Sequence, residues 1–219
     1  MFLKKLTMSK YGDLPFSLGM FKEIECTEMM YYLYLPIKMA GSMIFKVETR
    51  LDPFEKLIGA ANCDFVGLRG LDALKHSYVY VSAKRLFQSP GHSFNRPGWH
   101  SDGFMTDDVN YIWCDRDPTL FNKSQYALTE HHEYSLSEMD IQSLKENDVH
   151  YKPKEFLRLT QFNIHRVADV TEASVRTFFK LSFSKEKYNL KGNSINPHFE
   201  YDWRFEERHQ ERNHTVKMM

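Results

Sequence analysis

The stretch Pro97-Gly98-Trp99-His100-Ser101-Asp102-Gly103-Phe104 sets a histidine and an aspartate two positions apart, with a proline-glycine turn before them and a glycine and an aromatic residue after. Side chains of an extended segment alternate with period two, so His100 and Asp102 project from the same side. Reading outward, a solitary His165 is followed eleven positions later by Arg176. Two histidines and one carboxylate can occupy one face of an octahedral Fe(II) and leave the opposite positions open. An arginine close by adds a planar fork of donors suited to a carboxylate.

The spacing is compatible with convergence. Between Asp102 and His165 there is room for several strands at roughly five or six residues each. After His165, Asp169-Val170-Thr171-Glu172 reads as a turn and 176–182 as the next strand, so Arg176 is expected on the strand neighbouring that of His165. A second His-x-acid pair, His131-His132-Glu133, leaves about half the separation to His165 and lies beside polar Ser- and Glu-rich sequence. It reads as a loop or surface segment. With ten histidines in the chain, such a pair is expected by chance about once, so the joint order of the four residues carries the reading.

The order His100-x-Asp102, His165, Arg176 resembles that of the Fe(II)- and 2-oxoglutarate-dependent dioxygenases, over approximately residues 78–182. The resemblance implies a mainly β fold with a few flanking helices, a double-stranded β-helix (jelly-roll, cupin-like barrel). It implies that His100, Asp102 and His165 form the catalytic site and bind Fe(II), and that Arg176 holds the distal carboxylate of 2-oxoglutarate. The reaction so implied uses molecular oxygen to hydroxylate a C–H bond while 2-oxoglutarate is decarboxylated to succinate. Some members place a Ser or Thr two residues after the arginine. That position here is Phe178, so Tyr111 or Ser182 is expected to supply the second carboxylate partner. Two other readings stand beside this one. A metal-binding β-barrel with a hydrolytic function would suit zinc as well and would not need Arg176, and a jelly-roll binding module would use its aromatics as a ligand platform.

Lysines and arginines number 29 and so do acids, giving a formal net charge of zero. No basic block directs the chain to duplex nucleic acid or an anionic membrane, so a small molecule or nucleotide is the expected substrate and a peptide side chain the runner-up. Cys26, Cys63 and Cys114 show no CxxC pairing, which argues for reduced thiols rather than a zinc cluster or disulfide framework. Met1-Phe2-Leu3-Lys4-Lys5-Leu6 lacks the apolar core of a signal peptide, and no stretch approaches about twenty apolar residues. The expectation is a reducing, cytoplasmic location. Oligomeric state is left open.

The length suits one domain, with 1–77 supporting the barrel, 78–183 forming its catalytic core and 184–219 extending it. Residues 29–35 and 43–51 read as strands joined by a turn at 36–41, and Asp52-Pro53-Phe54-Glu55 as the start of a short helix through about Ala61. A loop with Gly67, Gly70 and Asp72 leads to a clear strand at 76–83. Residues 88–98 hold two prolines and two glycines and are irregular, with Asn95 and Arg96 as polar candidates for substrate contact. In the strand at 109–114, alternation puts Asn110, Ile112 and Cys114 on one face and Val109, Tyr111 and Trp113 on the other. If the second set faces inward, Tyr111 can reach the cosubstrate; otherwise it is a core tyrosine. A helix is expected at 137–145, capped by Ser137, and strands at 155–162 and 164–167. Beyond Ser182 the sequence turns polar, and Trp203 and Phe205 suggest that part of it docks on something.

Overall fold

A computed structural model describes residues 10–92 and 97–208. Asn95 and Arg96, the first six residues and the chain beyond 208 lie outside the described residues. In order, the elements are β1 (Phe16–Met20), β2 (Met30–Lys38), α1 (Glu55–His76), β3 (Tyr78–Gln88), β4 (Val109–Cys114), β5 (Leu120–Asn122), α2 (His132–Gln142), β6 (Asp148–His150), β7 (Glu155–Leu159), β8 (His165–Arg166) and β9 (Ser174–Ser184).

The strands form a six-stranded sheet in the order β1-β7-β4-β9-β3-β2 and a three-stranded sheet in the order β6-β5-β8. Every ladder is antiparallel. An isolated bridge between His100 and His165 adds a further position beside β8. From β3 onward the chain passes back and forth between the two sheets, which is the path of a double-stranded β-helix, or jelly-roll.

The period-two alternation of the large-sheet strands divides the core. Val109, Tyr111 and Trp113 of β4 and Phe179, Leu181 and Phe183 of β9 join Leu57, Ile58, Ala61 and Phe65 of α1 in one buried cluster. Phe65 stacks on Phe183 at 4.1 Å and Phe54 on Phe179 at 4.9 Å. The other face contributes Ile112, Leu157 and Leu159, which pack with Phe121 of the small sheet inside the barrel. Outside the small sheet, Met139 of α2 packs with Phe104, Tyr126 and Ile164. The barrel thus lies between α1 on one side and α2 on the other.

Several elements differ from the sequence expectations. The segment 43–51 is not a strand: only Phe45 bridges, to Lys38, and Thr49–Phe54 is a 3-10 helix anchored by buried Leu51 and Phe54. β2 continues through Pro36 to Lys38, which an edge strand tolerates because a missing N–H there breaks no central ladder. The helix after Phe54 runs far past Ala61 through the presumed glycine loop, interrupted only where Gly70 takes φ 85°. Glycine disfavours helix, but the apolar face at 57, 58, 61 and 65 packs on the sheet and overrides it. α2 begins at His132, with the His131 ring rather than Ser137 accepting a cap bond, from the Glu133 N–H. His131, His132 and Glu133 are all exposed.

The polar segment after β9 covers the outer edge of β2. The Leu33 N–H donates to Ser194 Oγ at 2.9 Å, and the Ser194 N–H donates to the Leu33 carbonyl at 2.8 Å. Trp203 packs edge-on against Tyr78. An open strand edge is a template for unwanted pairing, and this segment occupies part of it. No helix among the described residues is long and apolar enough to cross a membrane.

Candidate metal centre

His100, Asp102 and His165 come together at one end of the barrel. Each offers one ligand atom, and these atoms all lie within 4.8 Å of one another. The two histidines are cross-strand neighbours: each backbone N–H donates to the other's carbonyl at 2.9 Å. Asp102 follows directly, in a turn where Gly103 takes φ 71° and a Cβ would sit 2.8 Å from both Asp108 Cβ and Thr106 Oγ1. A side chain at 103 would therefore displace the carboxylate-bearing turn. From outside, Asp140 of α2 accepts from the Trp99 N–H at 2.8 Å and steadies the approach to His100.

The imidazoles are oriented by backbone. His100 Nδ1 lies 3.0 Å from the Gly98 carbonyl and His165 Nδ1 lies 2.9 Å from the Asn163 carbonyl. A carbonyl can only accept, so each Nδ1 carries the proton. The neutral ring then keeps its lone pair on Nε2, the arrangement usual in histidines that hold a metal. His165 Nε2 faces Asp102 Oδ2 at 3.5 Å. The donor set, nitrogen, nitrogen and carboxylate oxygen with two rings turned the same way, fits a divalent transition metal.

Asp102 is the electrostatic focus. Burial alone raises its pKa, but the charge of Lys180, the largest influence in the other direction, holds it well below the usual carboxylate range. Lys180 Nζ lies 2.6 Å from Asp102 Oδ2. The carboxylate is thus available as an anion.

These groups line a cavity of about 110 Å³, which also includes Arg176, Lys84, Thr119 and Tyr34. Arg176 is only 6% exposed, and its Nε donates to the Arg116 carbonyl at 2.9 Å. Its strand β9 is not beside β8, as the sequence reading expected. The two belong to different sheets, so Arg176 faces the metal-ligand side across the barrel.

Of the two residues expected to assist Arg176, neither lines the cavity. Tyr111 points to the opposite face of the sheet, buried against α1, where its hydroxyl donates to Asp64 Oδ2 at 2.7 Å beside the Arg158–Asp64 ion pair. This corrects the inward-facing alternative and supports the core one. Ser182 is on the barrel face, but its hydroxyl donates to Asn110 Oδ1 at 2.6 Å, and it lies outside the cavity lining.

The sequence reading missed Lys180, Lys84 and Tyr34. The lysines had a legible signal: Lys180 shares the parity of Arg176 within an apolar strand, and Lys84 shares that of Ser82 in β3. Tyr34 had none. A register break between Tyr32 and Leu35 gives it φ 49°, and its N–H donates to Ser82 Oγ at 3.0 Å. The bulge turns its ring into the cavity wall, where Lys180 Nζ lies 5.5 Å from the ring centroid. A non-glycine residue in the left-handed region stores strain, a feature that tends to cluster at functional sites.

No protein-family model matches the chain. No curated protein matches it either. Among solved structures, it is similar to a cupin protein from Bacteroides fragilis, with 9% identity over 53% of this chain and 72% of that one at a TM-score of 0.27. A likeness at that score carries no inference, and the jelly-roll assignment stands on the strand order.

Proposed function

We propose that this protein is a non-haem Fe(II)- and 2-oxoglutarate-dependent oxygenase that hydroxylates a C–H bond of a small molecule or nucleotide. One observation carries the reading. A buried arginine lines the same small cavity as two backbone-oriented histidines and an ionised aspartate. Ferrous iron held by His100, Asp102 and His165 would supply the redox chemistry that couples decarboxylation of 2-oxoglutarate to hydroxylation.

The chain's own residues supply placement. Arg176, on a strand facing the metal ligands, pairs with the distal carboxylate of the cosubstrate, and burial strengthens that pair relative to one in water. Its Nε bond to the Arg116 carbonyl fixes the guanidinium, so less freedom is lost on binding. Ile112, Phe178 and Leu33 contribute apolar wall that limits water around the reacting groups.

The test is anaerobic titration of the purified protein with Fe(II) and 2-oxoglutarate, followed by succinate measurement in air. The expected result is one Fe(II) and one 2-oxoglutarate per chain and slow succinate formation without added substrate. Absence of both binding and turnover in iron-loaded protein overturns the reading. A hydrolytic metal site would leave Arg176→Ala at full activity, whereas the oxygenase reading requires that variant to lose 2-oxoglutarate binding.

A further inference from the structure

We infer that Tyr34, Tyr188, Tyr80 and Trp203 form a conduit that carries oxidising equivalents from the metal site to a soluble one-electron reductant at the protein surface; the inference rests on the oxygenase reading above for the source of the oxidant. An iron site that activates oxygen holds a strong oxidant whenever no substrate is in place to consume it. Tyr34 is part of the cavity wall. Lys180 Nζ lies 5.5 Å from its ring centroid and 2.6 Å from the metal-ligand oxygen, Asp102 Oδ2. From that ring a run of oxidisable side chains leads outward.

Tyr34 meets Tyr188 edge-on at 4.9 Å between ring centroids, Tyr188 stacks on Tyr80 at 4.3 Å, and Trp203 follows Tyr80 at 6.4 Å. Tyr80 is fully buried, whereas Trp203 is half-buried and touches Tyr78 and Tyr201. Trp203 thus ends the run at the surface. Packing alone does not call for phenols here, since the stacked pairs under α1 are phenylalanines, Phe54–Phe179 and Phe65–Phe183. A phenol gives up an electron readily only when its proton can leave with it. The Tyr188 hydroxyl donates to Asp108 Oδ2, on a carboxylate side chain that is itself buried. Tyr188 is therefore where the oxidised state rests. In each passage Tyr188 gives one electron through Tyr34 to the metal site, and its phenolic proton moves to Asp108. The surface reductant returns one electron through Trp203 and Tyr80, and the proton goes back. Two passages, with two protons from solvent, reduce to water the oxygen atom left after the other atom of O2 has entered succinate.

The experiment uses the full chain loaded with Fe(II), without substrate, supplied either with 2-oxoglutarate and air or with hydrogen peroxide. Peroxide delivers the same two-electron oxidation without a keto acid. Freeze-quenched samples are read by electron paramagnetic resonance, with ring-deuterated tyrosine to identify a tyrosyl radical, and ferrocyanide serves as the one-electron reductant, its oxidation followed by absorbance. Wild type is expected to form the radical and to oxidise ferrocyanide in both arms. Tyr188→Phe should lose the radical and most of the ferrocyanide oxidation, while oxidative marks found by peptide mass spectrometry move to residues of the cavity. Trp203→Phe should keep the radical but lose ferrocyanide oxidation. Fe(II) binding and melting temperatures that match wild type establish that both variants are folded. A Tyr188→Phe protein that keeps the radical, or oxidises ferrocyanide at the wild-type rate, overturns the conduit, as does iron-loaded wild type that yields no tyrosyl radical with peroxide. A radical with peroxide and none with 2-oxoglutarate supports the conduit and overturns the oxygenase reading. Protein that binds no iron overturns both.

Discussion

On β9, Phe179, Leu181 and Phe183 face α1 and enter the aromatic core, whereas Arg176, Phe178 and Lys180 face the small sheet and line the cavity. Apart from the partly buried Phe178, both sets are nearly sealed from solvent; Phe179 is 0% exposed, Arg176 6% and Lys180 7%. Burial therefore does not separate the two faces, and chemistry does. The helix face gains from removing apolar area from water, roughly 25 cal/mol per Å². The barrel face holds charges that cost free energy to desolvate, which is the mark of a surface kept for binding rather than for stability.

Substitutions three positions apart should break the two faces separately. Phe179→Ala removes a ring stacked on Phe54 and is expected to cost about 3–5 kcal/mol in denaturant unfolding, while well below its melting point it still binds one Fe(II). Arg176→Met should do the reverse, abolishing 2-oxoglutarate binding with stability near wild type, because exchanging a buried charge for an apolar chain is often neutral or better. Chemical denaturation and keto-acid calorimetry on the same pair decide the matter. Loss of stability in both, or of ligand in both, would show that the strand does not divide its labour.

A smaller effect tests the barrel face alone. Lys180 holds Asp102 at 2.6 Å, so its charge competes with any divalent ion at the same carboxylate. A unit charge against a ligand oxygen opposes such an ion by more than about 1 kcal/mol even at water-like screening. Lys180→Met should therefore tighten Fe(II) or Mn(II) binding by about ten-fold, read by anaerobic competition with a chelator. Weaker binding would mean instead that Lys180 serves chiefly to orient the carboxylate.

The same division explains what could be read from residues alone. β4 was legible to its ends, because Val109-Asn110-Tyr111-Ile112-Trp113-Cys114 alternates between turn signals, and period-two patterning is a local property. The convergence of His100, Asp102 and His165 was legible from residue type and order. α1 was legible only to about Ala61, since Gly67 and Gly70 imitate a loop and only packing against Trp113, Phe179 and Phe183 makes the longer helix favourable. Nor was the assignment of Tyr111, whose direction depends on which face of the sheet α1 covers. Tyr34 was the least accessible, because a β-bulge appears only when two strands are paired.

A second buried lysine sharpens the contrast with Lys180. Lys38, at the end of β2, is 0% exposed and meets no carboxylate among the described residues; its Nζ donates to the carbonyls of Ser77, Met39 and Lys75 at 2.6, 3.1 and 3.4 Å. It ties the strand to the end of α1. Burial pushes its pKa down to about 8, against about 10.4 in an unfolded chain. Between those values the unfolded chain binds a proton that the folded chain does not, so stability climbs as pH rises from about 8 to 10 and is flat in this respect below 8. The carbonyls favour the charged form and work against the shift, so the rise should amount to no more than a few degrees in Tm. Lys38→Met removes the titrating group and should lack the rise, and the difference between the two melting profiles isolates Lys38 from the other bases titrating there. A wild-type profile that runs parallel to the variant's would mean that three carbonyls hold a lone ammonium as well as one carboxylate holds Lys180.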